Sequence, residues 1–187
     1  MNLKKAGVYS LVAILIIAAV IVLIFRNSES TSFSVQNAST KGLQLRFDYL
    51  SKANTNLCAA PSAIYSLNTD YLQGSCCSPM DFNRYKEQIE GLKKYSSFSV
   101  IPKDPYNVSL SLAEKLLNYD NISLSSDQQA VYNEAVNLSE SKGPCCCTCW
   151  RWYAFEGQAK YLITEKNFSA SQIADVWNLE DGCGGSD

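Results

Sequence analysis

Hydrophobic positions in this chain change their spacing several times, and each change predicts a different element. From Gly7 to Phe25 the chain is apolar for 19 residues without a charge. From Asn27 to Lys41 it is polar and rich in Ser, Thr and Asn, which predicts a flexible stalk. A short mixed run follows (Leu43, Leu45, Phe47, Tyr49, Leu50) and reads as helical. Cys58 to Ser78 has no sustained period, contains Pro61 and Gly74, and reads mainly as loop. Phe82, Tyr85, Ile89 and Leu92 then recur at helical spacing after Pro79 and Met80. Pro102 and Pro105 break the chain again. A short helix holding Leu112, Leu116 and Leu117 can be capped by Ser109 or Ser111.

Ser125 with Gln128 has capping-box spacing and starts a helix running to about Ser141, which Gly143-Pro144 ends. The next helix runs from about Cys149 to Lys166. The last begins at Ser169, with Gln172 as its capping partner, and buries Ile173, Val176 and Trp177. No segment alternates cleanly as a strand. The pattern therefore predicts an all-α protein: an N-terminal transmembrane helix plus a small helical extracytoplasmic domain with cysteine-pinned loops.

The transmembrane expectation rests on length. At about 1.5 Å per residue, the run from 7 to 25 reaches roughly the thickness of the bilayer hydrocarbon. Lys4 and Lys5 precede it and Arg26 alone follows. The positive-inside rule then predicts a cytoplasmic segment at 1–6, a spanning helix at 7–25, a stalk at 26–41 and a cysteine-rich helical domain at 42–187 outside the cytoplasm. A cleaved signal peptide is the alternative. The lipid bilayer is the expected partner of residues 7–25, with a further partner in the membrane or at the cell surface.

Charge and composition narrow the function. With Lys4, Lys5 and Arg26 set aside, the remaining chain holds 13 of the 16 basic residues and all 18 acidic ones. Such a mildly acidic domain lacks the basic patches that nucleic acid requires. Histidine is absent. That excludes Ser-His-Asp and Cys-His catalysis, haem attachment through Cys-x-x-Cys-His, and imidazole-based metal sites. Asn37, Asn107, Asn121, Asn137 and Asn167 each begin an Asn-x-Ser/Thr sequon, which suits an exported glycoprotein.

Cysteine supplies the most specific signal. Of the eight, four fall between Cys145 and Cys149 (Cys145, Cys146, Cys147, Cys149), Cys76 and Cys77 are adjacent, and Cys58 and Cys183 stand apart. Packing alone does not require such crowding. One explanation is a disulfide framework, in which the partners must be distant because a bridge needs Cα atoms about 5.5 Å apart. Cys58 or Cys183 would then pair with cluster members. A second is a thiolate metal site. Cys145, Cys147 and Cys149 alternate, and Cys146 with Cys149 forms Cys-x-x-Cys. Cys146, Cys76, Cys77 or Cys183 could complete the shell. Without imidazole such a site favours Cu(I) or Zn(II), with an iron–sulfur cluster less favoured. The third is thiol–disulfide exchange at the start of a helix, although no βαβ pattern surrounds the motif.

Gly143-Pro144-Cys145-Cys146-Cys147-Thr148-Cys149 resembles the Pro-Cys-Tyr-Cys-Gly-Cys (PCYCGC) motif of an exported, membrane-attached bacterial family of unassigned function. The resemblance covers the last third of the chain. It implies that Cys145, Cys147 and Cys149 correspond to that family's three motif cysteines. Cys146 stands where the family has Tyr and Thr148 where it has Gly, and the family's later histidines and Cys-x-x-Cys have no counterpart here.

Trp150, Trp152, Tyr153 and Phe155 read as a core helix walling the sulfurs off from water. Gly157 inside that helix costs about 1 kcal/mol against Ala, and a close backbone contact would explain it. Glu156 reads as a solvated helix residue, and Glu180, Asp181 and Asp187 as tail solvation. The leading expectation is a membrane-anchored thiolate-cluster protein binding Cu(I) or Zn(II). A disulfide-stabilised accessory subunit comes second and a thiol–disulfide exchange protein third. Enzyme activity stays open, with binding preferred over catalysis.

Overall fold

A computed structural model describes residues 40–185. The chain divides into two units between Leu45 and Arg46. The described residues of the first unit, 40–45, are helical. The second unit opens with helical residues 46–50 (α1). Then come α2 (Pro61–Ile64), β1 (Tyr71–Gln73), α3 (Phe82–Leu92), a 3-10 turn (Lys93–Tyr95), β2 (Asn107–Ser109), α4 (Leu110–Tyr119), α5 (Ser126–Leu138), α6 (Trp150–Lys166) and α7 (Ala170–Glu180).

Two expectations need correction. The first is the all-α class: β1 and β2 pair antiparallel, with Leu72 opposite Val108. Both side chains are buried. Strands of three residues are too short to show alternation, and it is burial of this single apolar pair that favours the sheet. The second is the membrane-spanning helix. Among the described residues no helix is long and apolar enough to cross a membrane. The longest helix among the described residues, α6, carries Arg151, Glu156, Lys160, Glu165 and Lys166. The single-pass, extracytoplasmic placement is corrected accordingly. Residues 7–25, on which it was based, lie outside the described residues, as do 1–6 and the expected stalk up to residue 39.

Helix boundaries follow local chemistry. Asp81 caps α3 by accepting from the Arg84 amide, and Ser109 caps α4 by accepting from Leu112. Ser125 and Ser169 form complete capping boxes with Gln128 and Gln172. Asn167 ends α6 in the left-handed conformation at φ 54°. Asn tolerates that region better than most residues.

The centre of the fold is α6, which buries Trp150, Ala154, Phe155, Gly157, Ala159, Leu162 and Ile163 and leaves the face of Tyr153, Glu156, Lys160 and Thr164 partly exposed along its middle. α4 lies against it most closely. A Cβ on Gly157 would stand 2.2 Å from the Leu116 carbonyl oxygen and 2.6 Å from the Asp120 nitrogen. This is the close backbone approach that the glycine foretold. Tyr119 and Tyr161 stack beside it, 4.6 Å between ring centres. Lys160 donates to Asp120 at 2.8 Å. α7 closes the other side, its Trp177 Nε1 donating to the Phe155 carbonyl at 3.2 Å.

Because the α4 backbone leaves no room, Gly157→Ala should lower the unfolding free energy by about 1–3 kcal/mol, as overpacking does. Urea denaturation followed by tryptophan fluorescence measures this. A variant as stable as the parent would show that the two helices separate freely.

Candidate metal centre

Four chain segments bring the cysteines together, and backbone hydrogen bonds fix three of them. The loop after β1 lies along the C-terminal tail. Cys76 N donates to Gly182 O at 3.2 Å, Cys77 N to Cys183 O at 3.2 Å, Ser78 N to Cys183 O at 2.8 Å, and Gly185 N to Pro79 O at 2.7 Å. Gly184, at φ +79°, permits this approach, since a Cβ there would sit 2.0 Å from the Ser78 carbonyl oxygen. The segment carrying Cys58 is tied to the start of α6, where Trp150 N donates to Ala59 O at 2.8 Å. The loop from 143 to 149 is anchored at its entry by Gly143 N donating to Ser139 Oγ at 2.9 Å. The Trp152 ring covers Gly143, 2.4 Å from where a Cβ would be.

The eight cysteines converge and are all free thiols. Sγ separations are 3.6 Å for Cys76–Cys77, 3.9 Å for Cys76–Cys183 and 4.0 Å for Cys77–Cys146. They are 3.9 Å for Cys77–Cys147 and 3.4 Å for Cys145–Cys183. Two pairs are closer: Cys58–Cys147 at 3.2 Å and Cys146–Cys183 at 2.7 Å. A metal–sulfur distance of about 2.3 Å puts sulfurs about 3.8 Å apart in a tetrahedron and about 4.0 Å apart in a trigonal plane. Most of the observed spacings lie near those values.

Three groups of potential ligands each lie within 4.8 Å: Cys77, Cys146, Cys147 and Cys183; Cys58, Cys147 and Cys149; and Cys145, Asp181 and Cys183. The alternating Cys145, Cys147 and Cys149 are thus shared out among these groups, and Cys76 flanks the first through Cys77 and Cys183. Cys58, outside the ligand set expected from sequence, reaches the centre. It stands alone in the sequence, and its place follows from long-range hydrogen bonds of its segment, Trp150 N to Ala59 O and Asn56 N to Gln73 O.

The thiols differ in character. Hydrogen bonding from the Cys145 and Cys76 thiols drives the Cys149 thiol far below its ordinary range. The converse interaction with Cys149 pushes Cys145 up to about 12 and raises Cys76. Burial followed by hydrogen bonding to Cys58 raises Cys147, and hydrogen bonding to Cys145 and Cys76 raises Cys183. Burial pushes Cys77 upward, but hydrogen bonds from Cys76, Cys147, Cys146 and Cys183 outweigh it and lower the thiol. Hydrogen bonds from its neighbours thus favour the thiolate form of Cys149 over that of the surrounding cysteines. Further deprotonation would crowd negative charges together, which a bound cation offsets.

Of the aromatic residues, Trp152 packs on the sulfurs, while Trp150 belongs to the main core. Glu156 pairs with Lys160 at 3.0 Å, one helical turn along. Behind the cluster lies a buried polar group. Arg151 is fully buried and donates to the carbonyls of Pro105 and Glu180. Gly182 lies against its guanidinium, where a Cβ would stand 2.4 Å from Cζ. Arg151 thus ties the start of α6 to the strand of chain leading to Cys183. Glu180 is not a solvated tail residue as its charge suggested. It is fully buried, accepts from Gln158 Nε2 at 2.7 Å, and leaves Oε2 without a hydrogen-bond partner among the described residues. Two surface grooves, one along Asp48 to Thr55 with Gln73 and one along Asn83 to Gly91, contain no cysteine.

No family model, no curated protein and no solved structure matches this chain. Fold and site together define a helical protein with a clustered-cysteine centre able to hold a metal ion.

Burial raises the Glu180 carboxyl well above its ordinary value of 4.5, against the lowering from Gln158 and Arg151. The folded state then holds the proton more tightly than the unfolded one. This contribution to stability is complete below pH 4.5 and falls as pH rises toward the folded value. Glu180→Gln should remove the decline, gaining on the wild type between about pH 5 and 8 in thermal unfolding. Parallel profiles would mean that the carboxyl is ionised and accommodated.

Proposed function

We propose that this protein binds a soft metal ion, Cu(I) or Zn(II), through the thiolates of Cys77, Cys146, Cys147 and Cys183. The observation that carries this reading is the placement of those four Sγ atoms within 4.8 Å of one another by three separate segments. Sulfur-only ligation suits soft or borderline ions. Cys183 is buried beside Trp152, while Cys77 and Cys146 are exposed and leave the ion a path in from solvent. The absence of histidine leaves the centre without the usual proton-transfer group, so binding fits it better than catalysis.

A second reading, a subunit held by disulfides, is favoured by one observation. Cys146–Cys183 at 2.7 Å and Cys58–Cys147 at 3.2 Å are the closest pairs and join distant segments. Bridging either pair consumes ligands of the metal set, so the two readings exclude each other in one molecule.

Purified, fully reduced chain should take up Cu(I) or Zn(II) in competition with a chelator of known affinity. Replacing Cys146 and Cys183 together by Ser should weaken binding by about 100-fold or more. A thiol count on protein isolated without reductant separates the readings: retained metal with unbridged thiols supports the first. Metal-free protein with two bridges, together with no uptake after reduction, would replace it by the second.

A further inference from the structure

We infer that the cysteine centre holds at least two Cu(I) ions at once, with Cys147 bridging them and Cys58 and Cys149 completing the second site. This rests on the metal-binding reading above and specifies its cargo as a polynuclear thiolate core. Two of the ligand groups share a sulfur: Cys77, Cys146, Cys147 and Cys183 form one, and Cys58, Cys147 and Cys149 form the other. A thiolate has several lone pairs and can bind two cations, so one shared sulfur joins the groups without an extra ligand. Cys147 already lies 3.9 Å from Cys77 on one side and 3.2 Å from Cys58 on the other.

Ligand number points the same way. A single tetrahedral ion uses four thiolates, yet all eight cysteines of the chain meet here. Cys58 is exposed and adds nothing to the core, so packing does not explain its place beside Cys147. The second group has three sulfurs and no carboxylate or imidazole. Three-sulfur coordination satisfies Cu(I), whereas Zn(II) in such a site would need a fourth ligand from solvent. Charge is a further argument. Among the described residues Arg151 is the only cationic side chain that is buried, so the compensating positive charge at the sulfurs must come chiefly from bound ions, and two offset more of it than one. The third group, Cys145, Asp181 and Cys183, is weaker. It includes a carboxylate, which suits harder ions, and Asp181 Oδ1 already accepts from the Cys183 amide at 3.0 Å.

The test is anaerobic titration of the reduced full-length chain with chelator-buffered Cu(I), read by native mass spectrometry. The expected result is cooperative filling to two or more ions per chain. Cys58→Ser should lose one ion and keep at least one, with an unchanged circular dichroism spectrum. Cys149→Ser should lose the same ion. X-ray absorption of the loaded wild type should show a metal–metal scattering shell. Saturation at a single ion would overturn the polynuclear core while leaving the metal-binding reading intact, as would a Cys58→Ser protein with wild-type stoichiometry. Failure to take up any ion would overturn both.

Discussion

The hydrogen bonds between the Cys76–Pro79 loop and the Gly182–Gly185 tail govern the rest of the centre. They set Cys76 and Cys77 against Cys183 across a separation of 107 residues. Side-chain attraction between thiols is weak and could not hold such a closure alone. The backbone can, because each amide and carbonyl must find a partner once water is excluded. Gly184 permits the contact, and Ser78 reinforces it by donating from its hydroxyl to Cys183 O at 3.1 Å. The thiols are therefore brought together by main-chain demands, and their chemistry follows from that placement.

A second layer of support comes from α6. Its first turn lies directly after Cys149, and its buried Arg151 grips the chain leading to Cys183. Burying an arginine is costly unless its donors are met. Here the carbonyls of Pro105 and Glu180 meet two donors, and the rings of Trp150 and Phe155 lie within 5.6 Å of the guanidinium carbon. Helix packing elsewhere serves chiefly to fix α6 and α7. The α4 backbone pressed against Gly157 sets the position of one, and the Trp177–Phe155 hydrogen bond sets the other against it.

Much of the helical framework was legible because its signals are local. Ser125 with Gln128, and Ser169 with Gln172, are read from residues three apart, and both capping boxes form. Gly157 announced a close approach through its propensity cost, without saying to which element. Crowding at Cys145–Cys149 announced a shared centre. What escaped depended on long-range pairing. Leu72 and Val108 define a sheet only when they face one another. Cys58 joins the centre only through the placement of its loop, and the burial of Glu180 runs against the usual behaviour of its charge. The membrane expectation followed from a contiguous stretch of composition, and no described helix has that character.

The spread of the ligands along the chain also bears on the order of folding. Cys145, Cys146, Cys147 and Cys149 are neighbours from the outset and need almost no loop closure to meet. Cys183 lies beyond α7, and Cys76 and Cys77 meet it through the hydrogen bonds between their loop and the tail, so both contacts require long loop closures. An ion captured early would meet the local four in whatever geometry they then have, before the distant sulfurs compete. If the centre binds metal as proposed, coordination by the full set of sulfurs would have to wait for these long closures, and an ion taken up earlier by the local four would have to be released or rearranged.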